Sequence, residues 1–213
     1  MPLTESVCYE LLNCHYDERL EKKRKKLKEL KGPEKLKRQE KLEKLEKEIE
    51  IHLRHTEGVV SICREIWSGL PQQSQALVNG ELLVAAAVLH DVAKFDEKKG
   101  ENNHHELAGG VISSNRAMLR SNIDGNVETL SSIVKAHKGT FEPNENCACE
   151  AAILRMADKI DMLRRGKDKQ QQFDDGIERI TDYFQMRFQN DSEEVRFLFD
   201  FLSVVRGLLK EPS

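Results

Sequence analysis

Hydrophobic residues recur along most of the chain at the three- and four-residue spacing that is typical of amphipathic helices. After residue 51, seven stretches carry this pattern: residues 52–70, 81–95, 104–119, 127–137, 150–165, 173–188 and 192–209. No stretch shows the sustained alternation between turn signals that indicates a strand. We therefore predict an all-α protein.

The first fifty residues have a different character. Residues 3–16 are predicted to form a short helix, and residues 17–50 consist almost entirely of Lys, Glu, Arg and Leu, which favour helices. The Gly32-Pro33 pair should break this stretch into a helical hairpin or into two helices in line. A thin apolar stripe remains on either side of the break, formed by Leu20, Leu27 and Leu30 and then by Leu42, Leu45 and Ile49. We expect a charged helical extension over residues 1–50 and a main domain over residues 51–213.

The charge of the chain is divided unevenly between these two parts. Residues 17–50 contain fourteen Lys or Arg and ten Asp or Glu, a net charge of +4. Since the whole chain carries -3, the remainder carries about -7. An acidic main domain argues against a general nucleic-acid binder. The lysine-rich run at residues 22–28 is more typical of a solvated helix face.

The sequence also bears on the cellular compartment. No apolar run is long enough to span a membrane, and the N-terminus does not resemble a signal peptide. The five cysteines show neither zinc-knuckle nor Cys-x-x-Cys spacing. We expect a cytoplasmic protein with free thiols and no membrane contact.

Two acidic positions stand out because they fall in apolar helices. The His90-Asp91 pair ends the apolar run 81–89, and Asp158 lies among Ile153, Leu154 and Ala157. Burying an unpaired polar group costs about 2–7 kcal/mol, and a charge costs more, unless a cation offsets it. Imidazole together with carboxylate suits Mn, Fe, Co, Ni or Zn. A polar helix end at residues 90–91, or pairing of Asp158 with a neighbouring basic residue, is the simpler alternative.

Five segments together resemble a known family. They read HTEGVVSICREI, AAAVLHDVAKF, HHELAGGVI, IVKAH and ILRMADKID, and in this order they resemble the HD superfamily of metal-dependent phosphohydrolases over about residues 51–166. The resemblance implies a bundle of helices around a metal. The expected fold is therefore an all-α HD-domain helical bundle with a charged helical N-terminal extension. Ala93 stands where the family often has Gly.

The resemblance also implies a set of metal ligands. The matching positions for one ion are His55, His90, Asp91 and Asp158, with His52, one helical turn earlier, as the alternative to His55. His105, which begins a His-x-x-x-Gly motif, and His137 match positions that hold a second ion in binuclear members. An exposed polar pair at a helix start is the alternative for His104 and His105. We expect one or two divalent transition-metal ions, with Mg also possible.

The implied activity is hydrolysis of a phosphate ester or anhydride, and the similarity extends to members that act on nucleotides. Asp91 and Lys94 are the expected catalytic residues, and Lys94 and Lys159 the expected contacts to substrate phosphate. A bound ion would make a nucleophilic water available near neutral pH. The alternative is a metal-binding HD module with little catalysis, acting in regulation or assembly. The N-terminal helices are a possible site of homo-oligomer formation.

Overall fold

The computed structural model describes residues 3–97, 101, 103–120, 127–166 and 169–209, and within these it contains helices and no strand. The helices are α1 (Leu3–Lys28), α2 (Gly32–Gly69), α3 (Gln72–Gln75), α4 (Gly80–Leu89), α5 (His104–Ser114), α6 (Arg116–Arg120), α7 (Val127–Ala136), α8 (Ala148–Arg164), α9 (Gln170–Arg187) and α10 (Glu193–Leu208), with one 3-10 turn at Glu145–Cys147. The all-α prediction is confirmed. None of these helices combines the length and apolarity needed to cross a lipid bilayer.

Helix α4 lies at the centre of the bundle. Residues 82–93, which include its last eight positions, are all buried, and the helix contacts α1, α2, α7 and α8. Three successive alanines, Ala85, Ala86 and Ala87, are fully buried and have side chains small enough for the neighbouring helices to approach closely. Helix α5 packs on α7, and α9 and α10 pack against α8. The bundle therefore places the end of α4 deep in the core.

The N-terminal residues form a hairpin of two long helices. Helix α1 runs without interruption from Leu3 to Lys28, so the predicted short helix over residues 3–16 is continuous with the start of the 17–50 stretch. The predicted break at Gly32-Pro33 is confirmed, because α2 begins there. Gly32 has a φ of 64°, which favours glycine, and Pro33 follows in the first turn of α2. Helix α2 continues through residue 50 into the bundle, so the expected boundary between extension and main domain falls inside this helix.

The apolar stripe predicted for the hairpin is largely buried, as expected for a narrow line of contact between helices. Leu20, Leu42, Leu45 and Ile49 are buried between α1 and α2 or against the bundle, whereas most residues near the turn are exposed. The first half of α1 is buried more deeply than this stripe. Its core residues are Cys8, Leu11, Leu12 and Tyr16. This half of the extension is thus part of the bundle.

Helix α4 ends at Leu89, six residues earlier than the apolar pattern predicts. The following residues form tight turns closed by i to i-3 backbone hydrogen bonds: Val92 N–H to Leu89 O at 3.1 Å, Lys94 N–H to Asp91 O at 2.8 Å and Asp96 N–H to Ala93 O at 2.9 Å. The turns hold His90 and Asp91 just beyond the end of the helix, both buried.

Candidate metal centre

Six buried side chains form two groups inside the bundle. His55, His90 and Asp158 make one group, and Asp91, His104 and His137 make the other; in each, one ligand atom per residue lies within 4.8 Å of the others. These side chains come from α2, the turn after α4, the start of α5, the end of α7, and α8. Five separate elements therefore converge on one buried spot, which ordinary core packing does not require.

His55 is held from both sides by carboxylates of α8. Its Nε2 lies 3.3 Å from Asp158 Oδ1, and its Nδ1 lies 2.6 Å from Asp161 Oδ2. Asp161 comes this close because Gly58, one turn after His55 on α2, has no side chain: a Cβ there would overlap Asp161 Oδ1. The Nδ1 contact turns Nε2 of His55 toward the group.

His90 and His137 are oriented in the same way as each other. The Nδ1 of His90 is 2.8 Å from Ala87 O, and the Nδ1 of His137 is 2.5 Å from Val134 O. Each ring nitrogen donates its hydrogen to the carbonyl three residues earlier, so the lone pair is on Nε2. An outer hydrogen bond of this type fixes the tautomer of a metal-binding histidine.

Asp91 belongs to the second group and also faces His90 of the first. Its Oδ1 is 2.9 Å from His104 Nε2 and 3.5 Å from His137 Nε2, whereas its Oδ2 is 3.7 Å from His90 Nε2. The two oxygens of one carboxylate thus face histidines of different groups. This is the arrangement that a carboxylate shared between two ions requires.

Several atoms of the cluster are buried without a hydrogen-bond partner among the described residues, namely His55 Nε2, His90 Nε2 and Asp91 Oδ1. They lie 2.9–3.7 Å from other carboxylate oxygens or histidine nitrogens of the cluster. Each buried unsatisfied polar atom costs roughly 1–3 kcal/mol. Divalent cations accept both imidazole nitrogen and carboxylate oxygen as ligands, so the residues of the two groups fit metal ions.

The pKa values of the side chains in the cluster also bear on metal binding. Burial lowers the pKa of His90 to about 3, which keeps the ring neutral and its lone pair free. Burial would raise the pKa of Asp158, but Lys159 and the nearby histidines hold it well below its ordinary value. His55 differs: burial opposes its charge, yet the carboxylates of Asp158 and Asp161 raise its pKa to about 9. An ion at this site would therefore replace a proton on His55.

The structure brings five of the six sequence-predicted ligands together: His55, His90, Asp91, His137 and Asp158. The sixth, His105, is in neither group, and its neighbour His104 takes the place beside Asp91. The His105 side chain instead lines an open cleft of about 350 Å³ between α5 and α7. Adjacent residues on a helix point about 100° apart, so only one of the two can face Asp91.

His52, the alternative to His55, points at a different part of the cluster. Its Nε2 is 3.8 Å from Asp91 Oδ2, and it belongs to neither ligand group. Burial lowers its pKa to about 4, so the ring is neutral. The geometry therefore favours His55 for the group with Asp158.

The two lysines predicted to contact phosphate lie at the edges of the cluster. Lys94 is half-buried, with Nζ 3.4 Å from His104 Nδ1, and the same Nδ1 is 3.3 Å from Glu97 Oε1. Lys159 is buried, and its Nζ is 2.5 Å from Asp158 Oδ2. Lys159 therefore neutralises the charge of Asp158, a candidate ligand.

Helix α1 reaches the site through residues that the sequence analysis did not single out. The Tyr16 hydroxyl donates to the backbone carbonyl of Asp91 at 3.3 Å. His15 Nε2 is 2.6 Å from Asp96 Oδ2, and Arg19 also pairs with Asp96. The segment that follows α4 is thus bonded to α1 both at Asp91 and at Asp96.

Fold and site together define a class of protein: a helical bundle with buried histidine and aspartate groups of metal-site geometry. The model of the HD domain family matches residues 52–163, more than half of the 213-residue chain, and the chain belongs to this family of metal-dependent phosphohydrolases. The match runs from α2 through α8, so α1, α9 and α10 lie outside it. No curated protein and no solved structure matches the chain.

Proposed function

We propose that this protein is a phosphohydrolase that uses two divalent metal ions to cleave a phosphate ester or anhydride of a nucleotide. The position of Asp91 carries the proposal, because its two carboxylate oxygens face His104 and His90, which belong to different groups. Family membership supplies the type of reaction. Family membership does not specify the number of ions or a nucleotide substrate, and both are part of the proposal.

In this proposal each group holds one ion. His55, His90 and Asp158 would bind the first, His104 and His137 the second, and Asp91 would bridge them. Ions held by these residues would supply a water of lowered pKa and positive charge against the phosphoryl group. His105 remains the alternative to His104, as the residue chosen by sequence motif.

The protein's own side chains would orient and balance this site. Asp161 and the carbonyls of Ala87 and Val134 hold three histidine rings with Nε2 inward. Lys94 and Lys159 place positive charge at either edge of the cluster, where a phosphate of the substrate would approach. We assign Asp91 to the reacting centre and Lys94 and Lys159 to phosphate binding.

The test measures metal content and phosphate release in the same preparations. Elemental analysis of the wild-type protein should find two transition-metal ions per chain, and Asp91→Asn should lose at least one of them. A panel of nucleoside mono-, di- and triphosphates and dinucleoside polyphosphates should include a substrate, and Asp91→Asn should reduce its turnover at least about 100-fold. Asp182→Asn, an exposed aspartate of α9, is the control.

The outcomes separate the enzyme from a binding module. Bound metal without phosphate release from any compound would reject the enzyme in favour of a metal-binding HD module with a regulatory or assembly role. One ion per chain, unchanged in Asp91→Asn, would reject the bridging role of Asp91 itself.

A further inference from the structure

A second open cleft adjoins the metal centre on the side of α9. It has a volume of about 430 Å³ and lies between the residues that follow α7 and the facing sides of α8 and α9. Two of its lining residues adjoin candidate ligands: Lys159 Nζ is 2.5 Å from Asp158 Oδ2, and Lys138 directly follows His137. A molecule bound at the metal centre could therefore extend into this cleft.

The lining of the cleft is strongly basic. It includes Lys138, Arg155, Lys159 and Arg179, and the only carboxylate among its lining residues in the described part of the chain is Asp175. Four cations and one anion give a formal charge of +3, in a chain whose net charge is -3. Positive charge is thus concentrated in this cleft, although the chain as a whole is acidic.

Lys159 is paired with Asp158, but the other three cations of the cleft lack a carboxylate partner among the described residues. Among the described residues, Lys138 and Arg179 make no ion pair within 4.0 Å, and Arg155 donates to the neutral carbonyls of Ala136 and Gly139 at 3.0 and 2.9 Å. Burial, and next the charge of Arg179, lowers the pKa of Arg155 to about 10. Like charges gathered around a cleft repel one another and raise the local affinity for anions.

We infer that this cleft binds an anionic group of the substrate beyond the phosphoryl group at the metal centre, so that the substrate is a chain of at least two linked phosphates. The inference rests on the proposed function and narrows its substrate class. Lys138 and Arg179 are the residues assigned to this second phosphate. Charge-assisted bonds from lysine and arginine are the strong phosphate contacts of proteins.

Lys138 and Arg179 are also the right positions for a test. Arg155 is buried, and its two hydrogen bonds cap the end of α7, so its loss would disturb the fold as well as the cleft. Arg179 is exposed and Lys138 is half-buried, so Lys138→Gln and Arg179→Gln should fold normally. Arg206→Gln is the matched control, because Arg206 is an exposed arginine in the last turn of α10.

The experiment titrates inorganic tripolyphosphate and inorganic phosphate into each full-length, metal-loaded protein in a calorimeter, with metal content measured before and after. Lys138→Gln and Arg179→Gln should each weaken tripolyphosphate binding roughly tenfold and phosphate binding less than about twofold. The control should match the wild type, including any loss of metal to tripolyphosphate. Equal tripolyphosphate affinity in all four proteins would overturn the inference.

Two further comparisons identify the source of the phosphate chain and separate this inference from the proposed function. Tighter binding of adenosine triphosphate than of tripolyphosphate, with the same loss in both variants, supports a nucleotide, and the reverse order supports an inorganic chain. Loss of tripolyphosphate binding without hydrolysis of any compound would leave the cleft assignment standing and reject the enzyme. Hydrolysis of a compound whose KM is unchanged in both variants would support the enzyme and reject the cleft assignment.

Discussion

Asp161 of α8 and His55 of α2 are in direct contact at the candidate metal centre. Asp161 Oδ2 lies 2.6 Å from His55 Nδ1 and also 2.8 Å from Arg165 Nε, so the carboxylate is itself fixed. On the other side of the ring, His55 Nε2 is 3.3 Å from Asp158 Oδ1. A carboxylate behind a histidine orients the ring and makes it a better ligand. Asp161 should therefore matter for metal binding although it is in neither ligand group.

The first prediction is that Asp161→Asn weakens metal binding roughly tenfold or more, because the neutral amide replaces the charge behind His55. Competition with a fluorescent chelator measures the affinity, and circular dichroism confirms the helical content. Asp182→Asn, on the exposed face of α9, should leave the affinity unchanged. An affinity equal to that of the wild type in Asp161→Asn would show that His55 does not depend on this carboxylate.

The second prediction concerns Gly58. A Cβ at this position would overlap Asp161 Oδ1, whereas a Cβ at Gly110, also inside a helix, would meet no atom within 4 Å. Gly110→Ala should stabilise the protein by up to about 1 kcal/mol through helix propensity. Gly58→Ala should have a free energy of unfolding about 1–3 kcal/mol below that of Gly110→Ala, since Asp161 must move. Denaturant unfolding compares the two, and equal values would refute the close packing.

Much of this architecture could be predicted from sequence because its causes are local. Each helix needs an apolar stripe with a 3.6-residue period, and that stripe is visible in the sequence. The His90-Asp91 pair and Asp158 could be singled out because charge inside an apolar helix demands a partner. The family match over residues 52–163 and the two ligand groups agree with that reasoning.

Other features depend on contacts between distant residues, which spacing does not reveal. The apolar face of residues 3–16 does not reveal which helix it packs against, and Leu12 and Tyr16 prove to be core positions in a helix that contacts α4. Gly58 gave only the weak signal of a glycine inside a helical pattern, and its meaning depends on Asp161, 103 positions later. Helix α4 ends at Leu89 because turns follow it, but the apolar pattern continues through these turns and does not mark the end of the helix.

The third prediction tests whether the N-terminal helix is part of the bundle. Leu12 is fully buried and Leu36, on the charged hairpin, is 61% exposed. Leu12→Ala should lower the free energy of unfolding by about 2–5 kcal/mol, the range for a cavity left by a buried leucine. Leu36→Ala should change it by less than about 0.5 kcal/mol. Similar small effects in both variants, measured by chemical denaturation, would place α1 outside the cooperative core.

The last prediction decides between His104 and His105 as the ligand from α5. His104 is buried with Nε2 2.9 Å from Asp91 Oδ1, whereas His105 faces the cleft between α5 and α7. The His-x-x-x-Gly motif favours His105, but a motif fixes spacing along the helix and not the direction in which the helix is rotated about its axis. The three-dimensional arrangement favours His104.

If the second ion binds between Asp91, His104 and His137, His104→Ala should remove one of two ions per chain and reduce turnover sharply. His105→Ala should keep both ions, because no candidate ligand group contains it. Elemental analysis after dialysis gives the stoichiometry, and thermal unfolding checks that both variants are folded. Loss of the ion in His105→Ala but not in His104→Ala would mean that α5 is rotated by about one residue, or 100°, in the metal-bound protein.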